Sequence, residues 1–305
     1  MTDDRTTFIG GTDIAGILGL SRWKTPLSVW AEKTGQIPPR EGPEELPKKL
    51  GIRLEEVVAE LFSEKTGITV QRANERRIHP KYPHFAAQID RIVVGTDELL
   101  ECKTTSPWNR KEWEDDAMPP EYVCQCMWQL AVTGRKKAHL AVLIGNQDFK
   151  IKEIDRDPVM IAEMLKRASS FWDDFIVPKI MPGQITAADS AAIRALFPES
   201  EPNTQIDLGD DLAKIIESRN ALCQDHIQIE KQIEQAENEI KVKLGTNEAG
   251  KAGKWIVSWK SQISRRLDTA LLKNNEPEIY QKYAKESASR VFRVKENKNG
   301  NLETR

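Results

Sequence analysis

Apolar residues recur at helical spacing in three stretches near the start of the chain, over residues 10–20, 26–35 and 51–67. The first stretch begins with a Gly-Gly pair, the second begins at Pro26, and the third is bounded by glycine at both ends. A repeat of three or four residues places apolar side chains on one face of a helix, so the pattern predicts three amphipathic helices. The four prolines of residues 36–48 predict a loop between the second helix and the third.

Short apolar runs dominate the next part of the chain, where the spacing becomes typical of strands. Two of these runs, residues 85–94 and 99–104, are separated by the turn sequence Gly-Thr-Asp-Glu at residues 95–98. A turn of this kind between two apolar runs predicts a hairpin. The mixture of helices and strands predicts the α/β (α+β) class. The other predicted strands cover residues 68–71 and 139–145, and the other predicted helices cover residues 121–133 and 158–177.

The C-terminal third of the chain has a different pattern. Pro182 and Gly183 end the helical spacing, and residues 183–206 predict a linker. From Leu208 onwards apolar positions recur alternately every three and four residues, and only Arg219 and His226 interrupt them. This stripe predicts a long helix packed within a helical hairpin or a small bundle.

These changes of pattern divide the chain into parts. The strands predicted beyond the long helix cover residues 255–260 and 290–295, and a helix is predicted over residues 268–283. We therefore predict a first domain over residues 1–182, the linker over residues 183–206, and a C-terminal helical and β accessory region over residues 207–305.

Composition narrows the class of protein. Hydrophobic residues make up 39% and charged residues 30% of the chain, as in soluble globular proteins. No apolar run approaches the ~18 residues that a membrane helix needs. The start of the chain, MTDDR, lacks the basic and apolar segments of a signal peptide. Four cysteines do not form a disulfide scaffold, so we expect a reducing cytoplasm and no membrane partner.

The net charge of −2 conceals an asymmetry along the chain. Residues 241–305 carry a net charge of +8, whereas residues 1–240 carry −10. A basic segment of this kind can contact a polyanion such as DNA. It can equally dock onto an acidic protein surface, and the sequence leaves both possibilities open.

Acidic residues and a lysine interrupt the apolar runs of the predicted hairpin. Asp90 ends the apolar part of the first strand, and Glu101 and Lys103 lie two residues apart on the second, so these two side chains share one face. Closing the hairpin brings Asp90 beside that face. Two carboxylates and a main-chain carbonyl, that of Cys102, are hard oxygen ligands that suit Mg²⁺. The adjacent lysine can orient an attacking water and help to deprotonate it.

An exposed Glu-x-Lys pair is also an ordinary salt pair, so this spacing alone has little value. The position of Asp90 is more informative, because a valine would pack better in an apolar strand. A charge in such a place is costly unless it is paired or bound to a metal. The segment as a whole therefore favours a metal site.

The order Asp90, Glu101, Lys103 resembles the core motif of the PD-(D/E)xK nucleases. Further segments resemble one branch of that superfamily, the phage lambda exonuclease-like or YqaJ viral recombinase family, and together they span about residues 5–145. The resemblance implies a restriction-endonuclease-like core with a central mixed sheet flanked by helices. The matching segments are IGGTDIAGILGLSRWKTPLSVWAEKTG, GIRLEEVVAELFSEKTG, HPKYPHFAAQID and YVCQCMWQLAVTG.

The resemblance assigns roles to matching residues. Asp90 and Glu101 would bind the metal ions, and Lys103 would serve the attacking water. Glu55 matches a helical carboxylate that the family places near the metals. The metal implied is Mg²⁺, with two ions at the site and with Mn²⁺ able to replace it.

Further matches concern the helix after the hairpin and the start of the chain. Gln125 matches the glutamine of a Tyr-x-x-Gln helix that lines the site, and Gln129 is kept as a DNA contact. Family members usually carry Gln-x-Gln here, whereas this chain has Met127 at the second position. Arg5 and Thr12 lie seven residues apart, as do the Arg and Ser that hold a 5′-phosphate in the lambda-type enzymes. A threonine hydroxyl near a helix N-terminus favours an anion.

The implied activity is that of a Mg²⁺-dependent 5′-to-3′ exonuclease, which acts on double-stranded DNA ends. Its product would be 3′ single-stranded DNA for phage-type recombination by a RecT-like or Beta-like single-strand annealing protein. The family implies a homo-oligomer, with a trimeric ring as one form, in the cytoplasm of a bacterial cell carrying a phage or prophage. Two alternatives stay open: an endonuclease of the same core in restriction or repair, and a non-catalytic DNA-binding recombination scaffold.

Two tryptophans follow the second strand of the hairpin. Trp108 and Trp113 lie where a loop is expected, and aromatic rings there can stack on a DNA end. Partial burial in the core is the alternative for both.

Overall fold

The computed structural model describes residues 5–37, 46–73, 75–286 and 289–296. The chain divides into two compact units, Met1–Phe197 and Pro198–Arg305. Most of the proline-rich loop predicted over residues 36–48 lies outside the described residues. Among the helices that the structure describes, none is long and apolar enough to cross a membrane.

A five-stranded sheet forms the centre of the first unit, in the order β1-β4-β5-β6-β7. Strands β5 and β6 run parallel, and the other neighbouring strands run antiparallel. The two remaining strands of this unit, β2 and β3, form a separate pair. The strands are β1 (Val70–Arg72), β2 (Arg77–Ile78), β3 (Ala86–Ala87), β4 (Arg91–Val93), β5 (Glu98–Thr105), β6 (Lys137–Ile144) and β7 (Asp148–Asp155).

Helices cover both faces of this sheet. On one face, Leu100 of β5 shares a buried cluster with Phe62 of α3. On the other face, Leu99 shares a larger cluster with Trp128 of α4 and with residues of α1 and α5. A mixed sheet flanked by helices confirms the predicted fold class. The helices of this unit are α1 (Gly11–Ile17), α2 (Pro26–Lys33), α3 (Leu46–Thr66), α4 (Pro120–Thr133), α5 (Pro158–Phe171) and α6 (Ser190–Leu196).

The predicted hairpin is present, because β4 and β5 pair antiparallel across the turn at residues 95–98. The single strand predicted over residues 85–94 is wrong, however, since the chain forms β3 and β4 with a break between them. Asp90 lies in that break and not at the end of a strand. Its Oδ2 accepts a hydrogen bond of 2.8 Å from the main-chain N–H of Cys102. The side chain thus takes a donor that a continuous strand would pair with a carbonyl.

Strand β7 and helix α6 of the first unit were not part of the predicted pattern. Strand β7 pairs with β6 along its whole length, although its sequence, DFKIKEID, alternates apolar and charged residues only weakly. The predicted linker over residues 183–206 contains α6, whose Ala192 is buried in a cluster with Leu27 and Trp30 of α2. A short apolar face therefore ties this part of the linker to the first unit.

The second unit is built on one long helix, α7 (Gly209–Leu244). Two strands, β8 (Ala249–Ala252) and β9 (Trp255–Ser258), form an antiparallel pair, and α8 (Thr269–Asn275) and α9 (Pro277–Tyr283) follow. The closing strand predicted over residues 290–295 is wrong, because those residues form no strand. The packing predicted for the long helix is also not found, since its apolar stripe is exposed along most of its described length.

Candidate active site

Strand β5 carries Glu101 and Lys103 on the face of the sheet that α4 covers. The alternation of strand side chains sets this direction, because Leu99 on the same face is buried against α4. Lys103 Nζ donates to Glu101 Oε1 at 2.5 Å. The Glu101 side chain is almost fully buried, whereas the Lys103 side chain keeps a fifth of its surface exposed, 20%. The pair therefore lies at the edge of a buried region, with the lysine toward solvent.

Two glutamines of α4 hold the Glu101 carboxylate. Gln125 Nε2 donates to Oε1 at 2.5 Å, and Gln129 Nε2 donates to Oε2 at 2.6 Å. Residues four apart lie on the same side of a helix, so one face of α4 supplies both donors. Gln129 Nε2 also donates to the main-chain oxygen of Gln88 at 2.9 Å. The carboxylate is thereby fixed in one orientation by groups from two elements.

Met127, between these two glutamines, lies elsewhere. It is buried in the core cluster, and its Sδ accepts the main-chain N–H of Asp157 at 3.4 Å. A residue two positions along a helix points to a different side, so Met127 does not take the place of a donor to Glu101. The departure from Gln-x-Gln therefore leaves both hydrogen bonds from α4 to Glu101 in place.

The buried carboxyl of Asp90 is strongly perturbed by its surroundings, Glu101 and Lys103 among them. Burial, reinforced by the negative charge of Glu101, raises the pKa of Asp90 to about 8. The charge of Lys103 and the hydrogen bond from Cys102 oppose this rise without cancelling it. The raised pKa shows that a second negative charge beside Glu101 is costly in this buried place, and a bound cation would offset that cost and favour the ionised form of Asp90.

The Lys103 ammonium is stabilised by its surroundings. Burial alone would lower the pKa of Lys103, but the charges of Glu101 and Asp90 outweigh it, so the pKa is raised above its ordinary value. Its Nζ also lies 5.2 Å from the ring centre of Tyr122. As long as it contacts Glu101, Lys103 is therefore a proton-bearing cation that can orient a water or a phosphate oxygen.

Glu55 approaches the site from the opposite face of the sheet. Arg91, a buried residue of β4, donates to Glu55 Oε1 at 2.5 Å and to the main-chain oxygen of Asp90 at 2.7 Å. Glu55 is therefore joined to Asp90 through Arg91, and the described hydrogen bonds do not join it to Glu101 or Lys103. Its charge still reaches Asp90, where it adds to the rise in pKa. The neighbouring Glu56 is more exposed and also pairs with Arg91, at 2.9 Å.

The start of α1 reaches the site through a close contact. A Cβ at Gly11 would lie 3.0 Å from Cγ of Gln125, so the helix start presses directly against a residue that holds Glu101. Thr12, the next residue, is exposed. Arg5 is an exposed residue of a short 3-10 turn, and its main-chain oxygen accepts a hydrogen bond of 2.6 Å from Lys33 Nζ. Thr12 directly follows Gly11 in the chain, and no described contact joins Thr12 or Arg5 to the site.

Some residues around the site belong to no motif that the sequence predicted. Arg91 gave no motif signal, although a charged residue directly after Asp90 in an apolar strand could have drawn attention. Tyr122 stacks on Trp113 at 5.6 Å, and Trp23 lies 6.0 Å from the same tyrosine. Trp113 is buried, so the burial alternative holds for it, whereas Trp108 is 92% exposed.

The oxygen donors present fit a hard divalent cation. Within the part of the chain that the structure describes, no three acidic, histidine or cysteine side chains converge closely enough to hold an ion by themselves. The candidate set is instead two carboxylates, Asp90 and Glu101, with the carbonyl of Cys102. Mg²⁺ commonly keeps several waters and uses one or two carboxylates, so this set suits it. The buried Oε1 of Gln129, which has no described partner, offers a further acceptor for such a water.

Substitution of Gln129 tests how much its hydrogen bond to Glu101 stabilises the fold. We expect Gln129→Leu to lower the free energy of unfolding by about 1–3 kcal/mol, because a buried carboxylate oxygen loses its donor. Urea denaturation of the full chain measures this change. The matched substitution Gln184→Leu, at an exposed position, should have little effect. Equal unfolding curves for wild type and Gln129→Leu would contradict the role of Gln129.

Comparisons with known proteins agree with this architecture. Residues 2–136 match the family model of the YqaJ-like viral recombinase domain. The chain is 37% identical over 300 residues to the uncharacterized protein YqaJ of Bacillus subtilis (strain 168), which covers 96% of this chain and 92% of that protein. The chain therefore belongs to the YqaJ-like viral recombinase family, which confirms the resemblance drawn from its motifs.

Solved structures include more distant similarities. An alkaline exonuclease from Laribacter hongkongensis, LHK-Exo, is 21% identical, and the match covers 58% of this chain and 91% of that one with a TM-score of 0.49. A phage-related exonuclease from Haemophilus somnus 129PT is 14% identical, with 56% and 96% covered and a TM-score of 0.45.

Proposed function

We propose that this protein is a Mg²⁺-dependent deoxyribonuclease that degrades double-stranded DNA from its ends. The observation that carries the proposal is the set formed by Asp90, Glu101 and Lys103. Glu101 and Lys103 lie on one face of the central strand β5, Asp90 binds the neighbouring Cys102 N–H, and two glutamines fix the Glu101 carboxylate. Membership of a viral recombinase family supports DNA as the substrate.

Each residue of the site has a definite task in phosphodiester hydrolysis. Asp90, Glu101 and the Cys102 carbonyl would hold Mg²⁺, which supplies charge neutralisation and an acidified water when bound. Gln125 and Gln129 keep Glu101 in one orientation, so little reorganisation is needed during reaction. Lys103 orients the attacking water as an ammonium, and only after it has lost its own proton to solvent can its amine take the proton of that water.

The finer features follow the family resemblance. We propose 5′-to-3′ digestion, with release of a 3′ single strand to a RecT-like or Beta-like annealing protein. Arg5 and Thr12 would hold the 5′-phosphate, and the exposure of both residues and the contact of the α1 start with Gln125 support this placement. Assembly as a homo-oligomer, such as a trimeric ring, belongs to the same proposal.

The proposal is tested by digestion of linear, nicked and closed circular duplexes, each with and without Mg²⁺. An exonuclease degrades linear DNA, leaves closed circles intact and needs the metal. Cleavage of closed circles would favour an endonuclease. Binding without cleavage of any substrate, at any Mg²⁺ concentration, would favour a recombination scaffold and overturn the proposal.

The 5′-phosphate contact gives a separate prediction. Linear DNA with a 5′-hydroxyl should be a poorer substrate than DNA with a 5′-phosphate, and Arg5→Ala should remove that difference, because only the phosphate makes the charged contact. Initial rates on the two substrates measure the effect. Arg194→Ala, an exposed arginine of α6, serves as the control. An equal loss of rate on both substrates would limit Arg5 to general DNA binding or folding.

The basic C-terminal region gives another prediction. Lys251, Lys254, Arg265 and Arg266 are all exposed, as phosphate contacts require. If they track DNA, replacing all four by Ala should flatten the log–log dependence of binding on salt by about 0.9 for each lost contact. Product runs on long duplexes should also shorten. Fluorescence anisotropy over a salt series measures the slope, and an unchanged slope would favour docking onto a protein.

A further inference from the structure

Helix α7 exposes a row of large apolar side chains. Leu222, Ile229 and Ile233 are 66%, 53% and 54% exposed, and Leu212, Ile215 and Ile240 in the same row are also exposed. The helix is 36 residues long, about 54 Å at the usual rise. The row is therefore a continuous apolar surface and not a set of isolated exposed residues. An exposed apolar surface of this length marks an interaction site.

Within the described residues the row stays largely exposed. The segments outside the described residues contain two large apolar residues, Met1 and Leu302. Among described residues, Phe292 reaches the helix, with the Arg219 guanidinium 5.8 Å from its ring. Leu222, Ile229 and Ile233 of the row remain exposed beside this contact.

The row follows the heptad repeat of a coiled coil, with Leu212 at position a and Ile215 at position d. The a and d positions then contain three polar residues within the helix: Arg219 and His226 at a, and Lys243 at d. The charged residues at the flanking e and g positions are all acidic. They are Asp211, Asp225, Glu230, Glu237 and Glu239.

Parallel pairing of two such helices is unfavourable. It would stack Arg219 on Arg219, His226 on His226 and Lys243 on Lys243 in the core, because like positions meet in a parallel pair. It would also set Asp225 opposite Glu230 at the flanks, where like charges repel. A parallel coiled coil of this chain is therefore disfavoured at three separate layers.

Antiparallel pairing avoids all of these conflicts. When the two helices overlap along almost their full length, a positions face d positions, and Leu222 meets Ile233 while Ile215 meets Ile240. Lys243 then faces Leu212 near the helix ends, where the lysine ammonium can reach solvent. Arg219 then faces Ala236 of the second copy, the smallest residue of the row, so its long side chain has room to reach the acidic Glu237 beside that alanine.

The polar positions of this antiparallel arrangement also agree. His226 faces Ile229 of the second copy, and the flanks place Asp225 opposite Gln232 and Cys223 opposite Glu230. No two acidic residues face each other at these flanks. The full-overlap register therefore aligns most apolar layers, gives Arg219 a small partner and sets no two like charges opposite each other.

We propose that α7 is a self-association surface, which pairs antiparallel with α7 of a second copy of this chain in a two-fold symmetric contact. In such a contact residue i of one copy meets residue j of the other, and j meets i, so every favourable layer occurs twice. Two nuclease units are joined in one particle by this contact. It is independent of the DNA chemistry proposed for the first unit.

Disulfide cross-linking tests the pairing and its direction. In the full chain with Cys223→Ser, the double variant Leu222→Cys with Ile233→Cys should form a covalent dimer in most molecules under mild oxidation, because these positions face each other. Each single variant should stay monomeric on a non-reducing gel. The reason is that, in the antiparallel pair, position 222 of one copy lies about 16 Å along the helix axis from position 222 of the other copy, which is beyond disulfide reach.

Controls separate the possible outcomes. Gln224→Cys with Lys231→Cys has the same register on the outer face of the helix and should not cross-link. Light scattering of Ile233→Asp should show half the mass of the wild type, and far-ultraviolet circular dichroism checks that the variant is folded. Cross-linking by either single variant would indicate a parallel pair and overturn the proposal. Absence of any dimer would overturn it in favour of a different partner.

Discussion

Glu101→Gln is expected to reduce DNA cleavage at least a thousandfold and to leave DNA binding largely intact. The glutamine keeps the size and most hydrogen bonds of Glu101, but it removes the negative charge that would hold the metal. A thousandfold loss of rate corresponds to about 4 kcal/mol of transition-state stabilisation. Asp90→Asn should have a similar effect, since it removes the second carboxylate of the pair. Single-turnover cleavage and anisotropy with labelled duplex measure the two quantities.

Glu60→Gln is the matched control for this result, because Glu60 is an exposed glutamate of α3 outside the site. Its rate should equal that of the wild type. Digestion at the wild-type rate by Glu101→Gln would show that Glu101 is not a metal ligand, and the assignment of the site would fail.

Lys103→Ala is expected to lower the cleavage rate about a hundredfold or more, which is the usual contribution of proton transfer by a positioned side chain. Metal binding should persist, because the carboxylates are unchanged. Lys103→Arg should restore little activity, since a guanidinium keeps the charge but does not release a proton near neutral pH. The Nζ of Lys103 is also confined between Glu101 and the Tyr122 ring, which leaves little space for the larger group.

The arginine variant decides between two roles of Lys103. Full activity of Lys103→Arg would show that a fixed positive charge is sufficient and that proton transfer by this residue is not needed. Lys111→Ala, an exposed lysine after β5, controls for general loss of positive charge. Its rate should stay near that of the wild type.

Local chemistry explains which parts of the fold could be predicted from the sequence. The turn at residues 95–98 and the apolar runs beside it specify β4 and β5 without help from distant residues. The same alternation places Glu101 and Lys103 on one face. Gln125 and Gln129 could be assigned because they match a family motif, but their shared grip on Glu101 depends on how α4 packs on the sheet.

Other features depend on contacts that a linear pattern does not contain. The break at Asp90 arises because its side chain accepts the N–H of Cys102, twelve residues away. Arg91 joins Glu55 to the site only after α3 has packed on β4. The heptad row of α7 predicted the helix correctly but not its surroundings, because periodicity shows which face is apolar and not what covers it.

Isothermal titration calorimetry of Mg²⁺ binding to the full chain, in the absence of DNA, tests the central claim most directly. The claim is that Asp90 and Glu101 together form a divalent-cation site. The wild type should bind Mg²⁺, and the double variant Asp90→Asn with Glu101→Gln should lose that binding while a thermal melt shows that it is still folded. Equal Mg²⁺ binding by the folded double variant and the wild type would contradict the account.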